Sequence, residues 1–215
     1  MTGNHLMFVR HGETVGNIER IAHGQSESPL NDRGKQQAAF TAEMLTSWET
    51  PYHRVYASPM SRAHDTGKKI SEALGLPIHF HDGLKEGFLG DWEGITYQQL
   101  SDFEFAKKSI MDDDFRGHNG ESPNQLANRM FNAIDEIRGA HTGENIIIVS
   151  HGAAIAHALS RLLRTKPVFG HKYIMHNSAV TEISLHPEPT IVRMNYHEHI
   201  PDELKVDPTG SKASR

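Results

Sequence analysis

The period of the apolar positions changes repeatedly along the chain, and the changes divide it into elements. Leu6 to Val9 is a short unbroken run of strand-forming residues that breaks off into Arg10-His11-Gly12. From Thr14 to Asn31 the chain is polar and rich in glycine and reads as loop, carrying Asn17, Arg20 and His23. Asn31 or Asp32 then caps a helix reaching about Trp48, with Ala38, Ala42 and Leu45 on one face. Arg54 to Ala57 is a second short strand. Ser58-Pro59 reads as an N-cap followed by proline at the first helical position, and the stripe of Ala63, Thr66, Ile70 and Leu74 ends at Gly75. Pro77 to Phe80 is a third strand.

From Asp82 to about Ser122 the period is lost. Phe88, Trp92, Tyr97, Phe103, Phe105 and Phe115 lie beside the acidic run Asp112 to Asp114, a mixture that predicts a lid-like insert folded over the sheet. Pro123 to Arg138 returns to helical spacing, with Leu126, Met130, Ala133, Ile134 and Ile137 on one face. Asn145 to Val149 is the most apolar strand of the chain, and Ser150-His151-Gly152 follows it at once. The helix after it, Ala153 to Leu163, is apolar almost all round and is predicted to be buried. Two more strands, Ala179 to Leu185 and Thr190 to Tyr196, flank a proline-rich turn at His186 to Pro189. Strands alternating with helices predict an α/β sandwich around a mostly parallel sheet. It forms a single domain over residues 1–206, with the insert at about 82–122 and a disordered tail at 207–215.

Composition narrows the function classes. A chain of 215 residues, 37% hydrophobic and 23% charged, describes one ordinary globular domain. With no cysteine there can be no disulfide, thiolate zinc site or cysteine nucleophile. A formal net charge of -5 without a basic run speaks against nucleic acid as partner. No segment has the features of a leader or approaches the ~20 apolar residues of a membrane span, so a soluble cytoplasmic protein without a membrane partner is expected. Of the 16 histidines, two groups look like ligand pairs, His79-Phe80-His81-Asp82 and His197-Glu198-His199. Neither supplies the three or four convergent ligands of a known metal site, and no metal is expected.

The candidate chemistry gathers at strand ends. If the first, second and fourth strands lie parallel and adjacent, their carboxyl ends deliver Arg10, His11, Arg62 and His151 to one crevice. Arg62 falls in the first turn of its helix, where free N–H groups and the dipole already favour an anion. Clustered cations repel one another unless an anion shares the site, and a dianion accounts for them. Two guanidiniums can hold phosphate oxygens in bidentate fashion and neutralise charge on them during phosphoryl transfer. His11 could then attack phosphorus as a neutral imidazole, which the neighbouring arginines favour and a bound dianion opposes.

The run Arg10-His11-Gly12-Glu13-Thr14, Asn17, Ser58-Pro59-Met60-Ser61-Arg62-Ala63, Glu86 ahead of Gly90-Asp91-Trp92-Glu93-Gly94, Gly120-Glu121-Ser122 and Ser150-His151-Gly152, in this order and spacing, resembles the histidine phosphatase superfamily in its phosphoglycerate mutase-like branch. The resemblance covers about Leu6 to Ser184. It implies a three-layer α/β/α fold, a phosphohistidine intermediate on His11, a phosphate pocket of Arg10, Arg62 and His151 with Asn17 as a further contact, and Glu86 as general acid. It implies no cofactor, and a small-molecule phosphate ester as partner. Glu13 and Thr14 read as residues that shape the loop.

The branch holds mutases as well as phosphatases. Mutases follow the acid with an Arg-x-Tyr-Gly-type stretch and a longer insert, whereas Glu86-Gly87-Phe88-Leu89-Gly90-Asp91-Trp92 here is similar to the phosphatases. Phosphoglycerate mutase-type transfer is the alternative, because Lys107, Lys108 and Arg116 could bind an acidic substrate arm. An alternative of another class is an inactive relative that only binds a partner, although every matched catalytic position is filled. A metal hydrolase built on the surplus histidines is a third, and a chelator would inactivate it. Self-association as a homo-oligomer stays open, since no apolar stripe lacks a core role.

Overall fold

The computed structural model describes residues 5–102 and 111–206. The tail expected at 207–215, and Phe103, Phe105, Lys107 and Lys108 of the insert, lie outside the described residues. Six strands form one sheet: β1 (His5–Arg10), β2 (Arg54–Ala57), β3 (Ile78–Phe80), β4 (Ile146–Ser150), β5 (Val180–Ser184) and β6 (Thr190–Tyr196), in the order β3-β2-β4-β1-β5-β6. Strands β3, β2, β4 and β1 pair in parallel, and β5 runs antiparallel to both β1 and β6.

Side-chain alternation makes three layers. Leu6 and Phe8 of β1, in register with Ile146 and Ile148 of β4, face a core filled from α5 (Pro123–Ala140) and α6 (Gly152–Leu162). Met7 and Val9, in register with Ile147 and Val149, face the opposite core, filled from α2 (Asp32–Thr46) and α3 (Ser61–Leu74). β4 is buried at all five positions, as expected of a central parallel strand covered on both faces. The chain thus places α2 and α3 on one face, then crosses to the other with α5 and α6. The fold is the three-layer α/β/α arrangement.

Most helix ends follow the local code. Asn31 accepts from the backbone N–H of Gly34 at 2.7 Å and opens α2. Ser122 and Gln125 close a capping box at α5, with Pro123 in its first turn. α3 ends at Gly75, where φ is +63°.

Two elements depart from the expectation. The polar segment Thr14 to Asn31 contains a short helix, α1 (Val15–Glu19), in which Thr14 is the N-cap and Asn17 completes the capping box. Five residues are too few to display a helical period. Ser58 is not the cap of α3. The N-cap is Met60, without a side-chain hydrogen bond, and the helix begins at Ser61. Ser58 Oγ instead accepts from the backbone N–H of Met60 at 3.3 Å and pairs with His151 Nε2 at 2.8 Å, a tertiary contact beside the extended Met60.

The insert is built from turns: 3₁₀ turns at Asp82–Leu84 and Gly90–Trp92, the short helix α4 (Tyr97–Asp102), and a stack in which Trp92 lies 4.2 Å from His118 and 6.0 Å from Phe115, ring centre to ring centre. The paired histidines have local partners. His79 stacks on Tyr56, and His81 Nδ1 accepts from the backbone N–H of Gly83. His197 stacks on His176, and His199 pairs with Thr41 Oγ1. No described helix is long and apolar enough to cross a membrane.

Candidate active site

Parallel pairing in the register Arg10↔Ser150 and Ala57↔Val149 brings the carboxyl ends of β1, β4 and β2 side by side. The residues that follow them, His11, His151 and Ser58, therefore meet without any long loop. The His11 and His151 rings are 5.2 Å apart between centres, and Arg62 Nε donates to His151 Nδ1 at 3.1 Å. Exposure is 7% for Arg10, 4% for His11, 3% for Arg62 and 0% for His151. Four cationic or potentially cationic side chains are thus withdrawn from water at one crevice.

The backbone fixes His11 closely. Its N–H donates to Ser150 O at 3.0 Å, and its carbonyl accepts from Ser178 N at 3.2 Å and from Asn177 Nδ2 at 3.1 Å. Gly12 follows because α2 comes in hard against it: a Cβ there would lie 2.3 Å from Gly34 O. The His11 ring has its Nδ1 2.7 Å from Gly12 O, so Nδ1 carries the proton and donates it, and Nε2 keeps its lone pair. Burial holds this imidazole well below its ordinary value of 6.5, Arg62 and Arg10 push the same way, and the bond to Gly12 opposes them. The ring is neutral, with its lone pair on Nε2.

His151 is neutral for the same reasons, burial first and then Arg62, His11 and Arg10. Since its Nδ1 accepts from Arg62, Nε2–H donates to Ser58 Oγ at 2.8 Å. Arg62 also donates to Ser26 O at 3.0 Å and Gly24 O at 2.8 Å, which commits three of the five guanidinium N–H groups to oxygen or nitrogen acceptors and fixes the plane of the fork. Among the described residues it forms no ion pair within 4 Å. Arg10 reaches Met175 O at 2.5 Å.

Asn17 Oδ1 accepts from Thr14 N at 3.1 Å and from Asn177 Nδ2 at 3.3 Å, which leaves its Nδ2 as the donor end. Glu86 is half-buried at the start of α6. Its Oε2 accepts from Ala153 N at 3.2 Å, and its Oε1 from Ala154 N at 2.8 Å and Gly87 N at 2.9 Å. A carboxylate at a helix N-terminus complements the dipole there. Glu13 is turned away, taking Asn31 Nδ2 at 2.7 Å and Arg33 at 3.4 Å, so it shapes the loop.

Three contributors carry no sequence signal of the role they take. Ser58, read as a helix cap and as part of the family-like run, bonds His151 directly, and Asn177, which bonds the His11 carbonyl, is not distinguished locally from other polar residues near a strand. Tyr97 stood only among the aromatics of the insert. It leaves 46% of its surface exposed, yet burial at its hydroxyl end raises its pKa while Arg10 and Arg62 pull it down and Glu86 pushes it up, so the hydroxyl lies within electrostatic reach of all three. Of the residues expected to bind an acidic arm, Lys107 and Lys108 fall outside the described residues, and Arg116 is exposed with Nε bonded to Gly120 O at 3.3 Å.

Known proteins share both this sequence pattern and this fold. Residues 6–197 match the histidine phosphatase superfamily (branch 1). A glucosyl-3-phosphoglycerate phosphatase of Mycobacterium tuberculosis (strain ATCC 25618 / H37Rv) is 31% identical over 201 residues, covering 88% of this chain and 89% of that protein. A metal-independent phosphoserine phosphatase of Arabidopsis thaliana is 36% identical over 159 residues, covering 70% of this chain and 65% of that protein. Among solved structures, a phosphoserine phosphatase variant from Entamoeba histolytica in complex with phosphoserine superposes with a TM-score of 0.83 at 28% identity, over 92% of this chain and 99% of that one. A mycobacterial glucosyl-3-phosphoglycerate phosphatase in complex with VO3 gives 0.82 at 27% identity, over 90% and 99%. With residues 6–197 of its 215 matched, the chain belongs to the histidine phosphatase superfamily, branch 1.

Proposed function

We propose that this protein is a phosphomonoesterase that hydrolyses a small phosphorylated metabolite through a phosphoryl group carried on His11. The observation that carries the reading is the state of that ring: a neutral imidazole, proton held on Nδ1 by Gly12 O, withdrawn from water beside two buried arginines. Nε2 attacks phosphorus in line with the ester oxygen, the P–O bond breaks, and a P–N bond forms. Arg10, Arg62, His151 and the Asn17 amide hold the phosphate oxygens, so negative charge is neutralised where it accumulates. An arriving dianion competes with Glu86 for the amides at the start of α6. The displaced carboxyl takes up a proton from solvent in the first cycle, and in later cycles keeps the one gained from water, and passes it to the departing alkoxide. In the second half the ionised Glu86 takes a proton from water, the water oxygen bonds to phosphorus, the P–N bond breaks, and neutral His11 and inorganic phosphate are restored.

The phosphatase names of the similar proteins support the same chemistry, and they suggest phosphoserine and phosphoglycerate-type esters as the first substrates to try. The reading requires no metal or cofactor, and it takes a small ester in the cytoplasm as partner, with neither nucleic acid nor membrane. A panel of small phosphomonoesters, assayed for phosphate release beside a mutase assay on monophosphoglycerate, tests it. Release of phosphate that survives a chelator is expected. Transfer of the phosphoryl group to a second hydroxyl without release would replace the phosphatase reading with the mutase one.

A further inference from the structure

Glu86 stands on a stretch with no regular structure, between the 3₁₀ turns Asp82–Leu84 and Gly90–Trp92. Side chains from elsewhere must aim it, and Arg129, from the middle of α5, supplies the largest share of the contacts. Its NH1 donates to Gly83 O at 3.0 Å and Lys85 O at 2.9 Å, and its NH2 to Glu86 O at 3.0 Å. The remaining donors close a fork on Glu121, Nε to Oε1 at 2.7 Å and NH2 to Oε2 at 2.6 Å. All five N–H groups of the guanidinium therefore have acceptors. Glu121 continues the clamp beyond Glu86, since its Oε2 also accepts from Phe88 N at 2.9 Å and its backbone N–H donates to Phe88 O at 2.8 Å.

Three carbonyl dipoles pointing at one spot repel one another unless a cation sits among them. A planar fork with five donors matches three carbonyls and a carboxylate together, which an ammonium with three donors cannot. The backbone on both sides of Glu86 is held chiefly by this ion pair, with Gln25 Nε2 adding a bond to Glu86 O at 2.9 Å and Ser150 Oγ one to Leu84 O at 2.7 Å. Among the described residues, the hydrogen bonds of the Glu86 carboxylate itself go to the α6 amides and Gly87.

We infer that Arg129, braced by Glu121, is a positioning residue for proton transfer: it sets the backbone of residues 83–88 so that the Glu86 carboxyl faces the ester oxygen at the crevice. The inference rests on the reading of Glu86 as proton donor. It assigns the Gly120-Glu121-Ser122 segment and Arg129, which touch no reacting atom, to the chemical step.

The test compares leaving groups. An alkoxide needs a proton to depart and a nitrophenolate does not, so a defect in proton transfer falls on alkyl esters alone. Single-turnover phosphorylation is measured with the best alkyl ester of the panel and with 4-nitrophenyl phosphate, for wild type, Glu86→Gln, Arg129→Gln, Arg129→Lys and the double variant Glu86→Gln/Arg129→Gln. Glu86→Gln is expected to slow the alkyl ester by roughly 10²–10⁴-fold and the aryl ester much less. Arg129→Gln is expected to slow the alkyl ester by on the order of 10²-fold, as for a misplaced reacting group, to spare the aryl ester, and to add nothing in the Glu86→Gln background. Arg129→Lys should recover part of the rate.

If the Glu86→Gln defect falls on alkyl esters while Arg129→Gln slows both esters alike, or multiplies independently in the double variant, the inference is overturned and the reading of Glu86 stands. If Glu86→Gln itself shows no preference, the proton donor falls and the inference with it. Should Arg129→Gln not fold, Glu121→Gln, which breaks the fork but retains an acceptor for Phe88 N, carries the same comparison. A folded Glu121→Gln protein with equal losses on both esters would overturn the inference equally.

Discussion

The floor of the crevice and its rim are made in different ways. The floor residues Arg10, His11 and His151 continue strands whose alternate side chains fill the two cores, so none can move without disturbing Phe8, Val9, Ile148 or Val149. The rim is carried by the insert, where Tyr97 and Phe88 are exposed and order comes from turns, the Trp92–His118 stack and the Arg129–Glu121 clamp. The contrast teaches a division of labour. On the proposed reading, the groups that meet phosphorus hang from the core, and those that meet the variable part of a substrate hang from a layer that can change without touching it.

The largest effect should come from the floor. Arg62→Lys keeps the charge but loses the planar fork and its bond to His151, and is expected to cost about 2–4 kcal/mol of transition-state stabilisation, by analogy with a lost oxyanion donor. Inorganic phosphate and vanadate should compete with substrate in the wild type and weaken in the variant. Equal inhibition of both would show that Arg62 does not touch the anion.

A second test follows the protonation of the floor. In the ligand-free protein, burial, Arg62 and Arg10 displace the His11 titration well below 6.5, so its imidazole resonances should show a neutral ring at pH 6.0 by NMR. Arg62→Gln should move the titration upward. The sign for stability is the same for His11 and His151: below 6.5 the unfolded chain takes up protons that the folded chain refuses, so stability should decline as pH falls from 6.5 toward the folded values. A half-protonated His11 at pH 6.5 would contradict the electrostatic account of the floor.

The smallest effect belongs to the rim. Tyr97→Phe keeps the ring and removes one hydroxyl, worth about 0.5–1.5 kcal/mol if it bonds substrate. It should raise KM several-fold for substrates with a polar arm and leave kcat for nitrophenyl phosphate unchanged. A large fall in kcat on both would move Tyr97 from the rim to the floor.

The same division decides what could be read from sequence. The floor was legible because Arg10, His11 and His151 sit at the ends of strands with apolar runs and Arg62 opens the helix that follows β2, and parallel adjacency of β1, β2 and β4 then brings them together. Ser58 misled because Ser-Pro is a good local cap signal, and only the distant His151 outbids it. The helix at Val15–Glu19 is shorter than two turns and leaves no period to detect. The rim was the least legible: Glu121 lay in the Gly120-Glu121-Ser122 match, but its partner Arg129 holds carbonyls up to 46 residues away and Tyr97 acts toward the distant Arg10 and Arg62, with no spacing rule linking them. Glu86 was found by resemblance alone, one carboxylate among the 27 acidic residues of the chain.

The central claim is that phosphorus passes through Nε2 of His11. Brief incubation of the enzyme with a good substrate, quenching under denaturing but non-acidic conditions, and mass analysis of the peptides tests it most directly. One added phosphoryl group is expected on the peptide holding His11, lost on acid treatment, and absent from a folded His11→Ala protein whose turnover has collapsed. Turnover by His11→Ala at the wild-type rate, or a phosphoryl group found on any other residue, would contradict it.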